Sequence, residues 1–157
     1  MKNDIIIKEE ASRFSIRVAV VFKKNNKMLL QKCDKDIYYS LLGGKVKMFE
    51  DTKLAAKREV LEELGIEISI EDLKSVGIYE NFFVYKETNI HELLYVYVVN
   101  SKTNYKKIDC YDLKCLDKEN VYFKWIDFEK LKSIDLRPKY VLNQLIDEKL
   151  SHIIIHE

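Results

Sequence analysis

The chain has one proline, Pro138, and four glycines in 157 residues. So few chain breakers leave no Pro- or Gly-rich linker. No repeat or low-complexity block supplies one either, so a single domain over residues 1–157 is expected. The three cysteines, Cys33, Cys110 and Cys115, are odd in number and form no Cys-x-x-Cys pair. That argues against a disulfide framework and a zinc site, and for a reduced, cytoplasmic protein. Charge of one sign is missing too: 27 Lys+Arg face 26 Asp+Glu, a net charge of +1, so no bulk pull toward nucleic acid or an anionic membrane exists. The start, MKNDIIIKEE, lacks the apolar run of a signal peptide, and Ile153–Ile155 is far too short for a membrane span.

What is present is a dense core-forming pattern, 47% hydrophobic, in a length that can bury a real core. Ser15–Phe22 (SIRVAVVF) reads as a strand, Lys23–Lys27 as a polar turn and Met28–Lys32 as the returning strand of a hairpin. A short apolar run, Ile37–Leu42, ends at Gly43-Gly44. Thr52–Leu64 is the clearest helix, with Asp51 or Thr52 as cap and Gly65 as stop. Leu73–Tyr85 and Glu92–Val99 read as long strands around the turn KETN, and Val121–Ile126 as another strand. Asp127–Lys132 is expected to be a short helix, and Arg137–Leu150 an amphipathic closing helix with Pro138 in its first turn. The tail SHIIIHE is an added strand or a frayed end. Strands outnumber helices, which suggests an α/β fold with a mixed sheet and helices packed on it.

The helix 52–64 carries an unusual charge pattern. At about 100° per residue, Leu54, Ala56, Val60, Leu61 and Leu64 fill one arc, while Glu59, Glu62 and Glu63 fill the opposite one with Arg58 beside them. Glu59 stands i,i+3 from Glu62 and i,i+4 from Glu63, where like charges cost roughly 0.2–0.5 kcal/mol per pair. From spacing alone two readings stand. One is a solvated acidic face; the other is a set of carboxylates gathered for a divalent cation such as Mg²⁺, which takes oxygen ligands and substrate phosphates. The glycine pair lets the backbone approach such a site and offer a carbonyl. Glu50, eight residues before Arg58, offers an ion pair between loop and helix.

Gly44-x5-Glu50-x7-Arg58-Glu59-Val60-x-Glu62-Glu63-x-Gly65-Ile66 resembles the Nudix box at all nine of its defined positions, over residues 44–66. The segments 80–99 and 124–138 are similar to a bacterial, MutT-like branch of unassigned substrate. Two positions depart from the family: Leu42, where proline is frequent, and Phe49, where glycine is common. The resemblance implies an α/β/α sandwich and Mg²⁺-dependent (or Mn²⁺-dependent) hydrolysis of a nucleoside diphosphate linked to another moiety. It implies that Glu59, Glu62 and Glu63 face two or three cations, with the Gly43 carbonyl completing the shell. Glu119, six residues ahead of Trp125, is the candidate further ligand. Arg58 would orient the acids and pair with Glu50, while Gly44 and Gly65 shape the box. Glu59, or a loop glutamate, would take the proton of the attacking water, with Glu62 also essential to the chemistry.

Outside the box, Arg17 and Lys32 could reach a phosphate or be outward surface charges. Tyr79, Phe82, Phe83 and Tyr85 could stack on a base or fill the core, and Phe83 is carried as the stacking candidate. Glu92 could line the pocket beside His91, which reads as structural, as do His152, His156 and Trp125. The partner expected is a small nucleotide-type molecule, with no membrane and no strong nucleic-acid signal; a homodimer is compatible with the sequence. A Nudix-fold sensor that binds without turnover, and an RNA-directed enzyme, are the competing readings.

Overall fold

The computed structural model describes residues 2–100, 105–109 and 112–157; Cys110 lies outside them. In chain order the strands are β1 (Ile6–Glu9), β2 (Ser12–Val21), β3 (Lys23–Lys24), β4 (Lys27–Cys33), β5 (Tyr39–Ser40) and β6 (Leu42–Lys45). Then come helix α1 (Thr52–Leu64) and strands β7 (Leu73–Tyr85), β8 (Thr88–Val99), β9 (Asp112–Lys114) and β10 (Val121–Asp127). Helix α2 (Val141–Asp147) and β11 (Ser151–His156) close the chain.

β2 is the hub of a mixed six-stranded sheet in the order β1-β2-β8-β7-β11. One edge of β2 takes β1 and then β6, both antiparallel; the other takes β8 in parallel. β7 joins β8 antiparallel, and β11 joins β7 in parallel. Strand alternation divides β2 between two cores. Val18 and Val20 face the cluster that holds α1, whereas Ala19 and Val21 face the cluster that holds α2. Helices on both faces of a mixed sheet give the α/β arrangement expected. Among the described residues no helix is long and apolar enough to cross a membrane.

Several boundaries differ from expectation. The strand 15–22 begins at Ser12 and stops at Val21, because the chain leaves the large sheet at Phe22 for a second, antiparallel sheet in which β4 pairs with β3, β5 and β10. The expected hairpin between the 15–22 and 28–32 strands is therefore the short β3–β4 hairpin, turned by Asn25 and Asn26 at φ 51 and 58. β8 begins at Thr88, since Lys86 and Glu87 (φ 46 and 63) make a two-residue turn closed by the Tyr85–Thr88 pair. The closing helix is confined to 141–147 between Tyr140 and Glu148, both left-handed at φ 66 and 50. The residues before it are used otherwise: Tyr39 N–H donates to Asp135 O and Arg137 N–H to Tyr39 O, both at 2.8 Å. Asp127–Lys132 is a 3-10 segment, Phe128–Ser133. The tail is a strand, with Ile155 buried and His152 Nε2 2.7 Å from Glu80 Oε1.

Candidate active site

The helix that carries the acids is capped as expected. Asp51 accepts from Lys53 N and Leu54 N at 2.9 Å, and Gly65 (φ 69) donates to Leu61 O. Its orientation is not the one the apolar arc implies. Leu54 and Leu61 are 45% and 43% exposed, whereas Glu59 and Glu63 are 6% and 0% exposed. The helix turns two glutamates inward and two leucines out. Buried carboxylates need partners: Glu59 has its neighbour Arg58, and Glu63 has Lys118 from a distant segment.

Arg58 is the centre of this arrangement. Its Nε and Nη2 grip Glu50 Oε1 and Oε2 at 2.8 and 3.0 Å, the two-pronged geometry that guanidinium offers carboxylate. Nη1 donates to Glu59 Oε1 at 2.7 Å and to Glu62 Oε2 at 3.1 Å, and Nη2 also reaches Lys45 O at 2.9 Å. Glu50 further accepts Lys47 N–H at 2.9 Å. The Arg58 bonds hold the Glu50 carboxyl below the usual carboxylate range, and the same bonds raise the guanidinium above its own. One side chain thus ties the loop, β6 and two acids of α1 together.

Glycine is required where the loop meets this cluster. At Gly43 (φ 150) a Cβ would lie 2.0 Å from Val18 O, and at Gly44 one would lie 2.3 Å from Glu59 Oε1. Gly44 is the cradle of the Glu59 carboxylate. Leu42 is buried and pairs with Val20. Phe49 keeps the left-handed backbone that favours glycine, at φ 59, and its ring is 95% exposed. Residues 2–5 run alongside: Met48 N–H donates to Asn3 O at 2.7 Å, Ile5 N–H to Val46 O at 2.8 Å and Lys2 Nζ to Phe49 O at 3.1 Å.

Glu63 lies on the other flank of α1. Lys118, from the β9–β10 turn, donates to its Oε1, while Oε2 is buried with no hydrogen-bond partner. Burial pushes its carboxyl up to about 7, against the opposing pull of Lys118. Cys115 Sγ and Asp117 stand with Glu63, ligand atoms within 4.8 Å of one another. Burial, together with its bond to Asp117, pushes the Cys115 thiol up to about 12, so it stays protonated at neutral pH and donates to Asp117 Oδ1 at 3.0 Å. The oxygen donors Glu59, Glu62, Glu63 and Asp117 suit a hard divalent cation, and the orphaned Glu63 oxygen and the Gly44 cradle fit one.

A separate cleft of about 350 Å³ opens on the α2 side of the large sheet. Three of the four substrate candidates, Arg17, Phe83 and Glu92, line it. Glu92 is buried, accepting from Arg17 Nη1 at 3.3 Å and Asn81 Nδ2 at 3.1 Å. Lys32 is not among its lining residues. Its ammonium donates to Asp36 O at 2.5 Å and Tyr38 O at 3.3 Å and lies 5.0 Å above the Tyr39 ring. Glu119 is exposed in the β9–β10 turn, and the acid that turn brings to Glu63 is Asp117. Tyr79 is fully buried and bonds Gln144, while Phe82 stacks on His91 at 4.2 Å and on His156 at 4.6 Å. Trp125 is partly buried against the α1 cluster, its indole N–H donating to Ile108 O at 2.7 Å. Lys118, Asp117 and Asn81 are missing from the sequence reading, and Cys115 enters it only as one of three cysteines. None of these leaves a pattern in the sequence; Asn81 gains its meaning only from the register that pairs it with Glu92.

Comparison with known proteins agrees with this fold. A MutT protein from Bacillus halodurans superposes with a TM-score of 0.70 at 15% identity, over 90% of this chain and 89% of that one. A MutT NUDIX hydrolase from Burkholderia pseudomallei gives a TM-score of 0.63 at 17% identity, over 84% and 98%. The ORF135 protein of E. coli gives 0.58 at 22% identity, over 85% and 89%. These likenesses are of fold. No curated protein matches the chain in sequence. The NUDIX domain profile matches residues 13–145, and with all nine box positions in place the chain belongs to the Nudix family of hydrolases, which cleave pyrophosphate linkages.

Proposed function

We propose that the chain hydrolyses the diphosphate linkage of a nucleotide derivative, with Mg²⁺ (or Mn²⁺) held by Glu59, Glu62 and Glu63 and by the Gly43 carbonyl. Asp117 supplies a further carboxylate from the β9–β10 turn, in the role first assigned to Glu119. The observation that carries this reading is the Arg58 network. It fixes Glu59 and Glu62 on one guanidinium of the same helix whose other flank holds the buried, half-partnered Glu63, carboxylates that a cation would relieve.

When bound, the cation supplies Lewis acidity toward the diphosphate oxygens and the attacking water. The residues of the chain do the rest. Arg58 holds the Glu59 carboxylate against Gly44, so that acid keeps one orientation. A carboxylate so held can accept the proton of a water molecule as its oxygen bonds to phosphorus. The P–O–P bridge breaks and the bridging oxygen leaves with the second phosphate. The cleft beyond β6 binds the remainder of the substrate.

The test is a screen of nucleoside triphosphates, ADP-ribose, dinucleoside polyphosphates, nucleotide sugars and coenzymes for Mg²⁺-dependent phosphate-bond hydrolysis. Glu62→Gln is the comparison. It is expected to lose at least about 10²-fold in rate with unchanged thermal unfolding. Near-wild-type turnover by Glu62→Gln would overturn the assignment. Binding without turnover by the wild type would make the protein a sensor.

A further inference from the structure

The cleft on the α2 side has a chemical polarity of its own. Its floor is apolar, with Ala19 and Leu94, and Phe83 and Tyr38 stand at its walls. Asn81, Gln31 and Glu92 line it with acceptors. Asn81 is 4% exposed and gives its Nδ2 hydrogen to Glu92 Oε1. A carboxylate only accepts, so the amide orientation is fixed and Oδ1 is the group left over. That oxygen is buried and has no hydrogen-bond partner. Gln31 Oε1, lining the same cleft, is also buried and unpartnered. Glu92, 5% exposed, adds a carboxylate anchored by Arg17 and Asn81.

Buried acceptors without donors are rare, because each has given up water for nothing in return. Two in one cleft, backed by a carboxylate and walled by aromatic rings, describe a socket for a flat ligand whose inner edge carries N–H groups. Resting on the reading that the substrate is a nucleotide derivative, we propose that Asn81, Gln31 and Glu92 are specificity-determining residues that select a nucleobase bearing an exocyclic amine. Adenine, cytosine and guanine each present an amine to these oxygens. Uracil presents a carbonyl where cytosine has its amine, and hypoxanthine presents a carbonyl where adenine has its amine and a bare hydrogen where guanine has its own. Uracil and hypoxanthine keep one ring N–H for one of these acceptors, but a carbonyl set against Asn81, Gln31 or Glu92 meets like dipoles and leaves a second buried acceptor unpaired. Sites built this way reject the analogue that lacks the donor more strongly than an apolar pocket rejects an extra methylene.

The socket is joined to the chemistry through one strand. Ala19, in the cleft, pairs with Gly43, and Arg17 pairs with Lys45, whose carbonyl accepts Arg58 Nη2 at 2.9 Å. A base seated on Asn81 is therefore joined to the box loop through the β2–β6 ladder.

The experiment is equilibrium titration of metal-free protein with cytidine, uridine, adenosine, guanosine and inosine 5′-monophosphates, followed by intrinsic fluorescence or calorimetry. At least one amino-bearing nucleotide is expected to bind about tenfold or more tightly than its counterpart lacking that amine, cytidine over uridine or adenosine or guanosine over inosine. Asn81→Leu is expected to bring that ratio toward one, with folding checked by circular dichroism. Equal affinities in each pair overturn the proposal on the wild-type protein alone, whatever the variant does, and so does failure of every monophosphate to bind. A ratio unchanged in folded Asn81→Leu removes Asn81 from the role. Glu62-dependent hydrolysis without base preference overturns only this inference. Base preference without hydrolysis overturns only the hydrolase reading.

Discussion

Gly44→Ala puts the link between loop and helix to a quantitative test. Gly44 does not have a left-handed φ, so alanine fits its backbone. Through the unfolded chain alone, the change would stabilise the fold by about 0.4–1 kcal/mol. The obstacle is steric: the new Cβ would lie 2.3 Å from Glu59 Oε1 and 2.4 Å from both Cδ and Oε2. Glu59 has to swing aside, giving up its 2.7 Å bond from Arg58. A hydrogen bond of that charge-assisted kind is worth about 1.5–3 kcal/mol. The expected balance is a loss of about 1–2 kcal/mol, roughly 2–8 °C in Tm for a chain of this size. In a Glu59→Ala background the obstructing carboxylate is gone, and Gly44→Ala should be neutral or slightly stabilising. The two sites should therefore couple by about 1.5–3 kcal/mol in a double-mutant cycle, read from urea unfolding of the four proteins in chelator. An equal effect of Gly44→Ala in both backgrounds would refute the cradle and leave Gly44 with a purely conformational role.

Two predictions concern Glu63. Its carboxyl is raised from an ordinary 4.5 to about 7, chiefly by burial, so between those pH values the folded chain holds a proton that the unfolded chain has released. Stability of the metal-free protein should fall as pH rises through that window, by at most about 3 kcal/mol. Glu63→Gln should lack that slope when Tm is followed from pH 4.5 to 7.5, and parallel curves would count against the assignment. Lys118 holds the Glu63 oxygen that a cation would also use. Lys118→Ala should therefore enlarge the Mg²⁺-induced rise in Tm by roughly 2–4 °C, reflecting about 1 kcal/mol of added binding. An unchanged rise would show that Lys118 does not compete for the site.

The framework of the box was legible because its spacing is local. Asp51, Gly65 and the Glu50–Arg58 pair act within one loop and one helix, and each has the partner that its position predicts. The orientation of the helix was not legible. A helical wheel weighs only the residues on the helix, and the facts that bury Glu59 and Glu63 lie elsewhere, in Gly44 and in Lys118, 55 residues beyond Glu63. The two leucines on the exposed arc misled for the same reason. Asn81 escaped notice because an isolated asparagine in a strand carries no pattern. Its meaning comes from the register that sets it opposite Glu92. The KETN turn was read, but its confinement to Lys86 and Glu87, and the helix start at Val141, depend on left-handed backbone at Lys86, Glu87 and Tyr140, a conformation those residue types do not announce.

The strap of residues 2–5 along the box loop has a practical side. Met48 and Phe49, the last residues before Glu50, are hydrogen-bonded to Asn3 and Lys2. The left-handed turn at Phe49, a conformation costing roughly 1–2 kcal/mol for a side-chain-bearing residue, is thus braced from more than forty positions away. Altering residues 2–5 therefore means working on the loop that carries Glu50. A drop in turnover after such handling would be a loss of bracing, visible in a preparation that still unfolds at nearly its normal temperature.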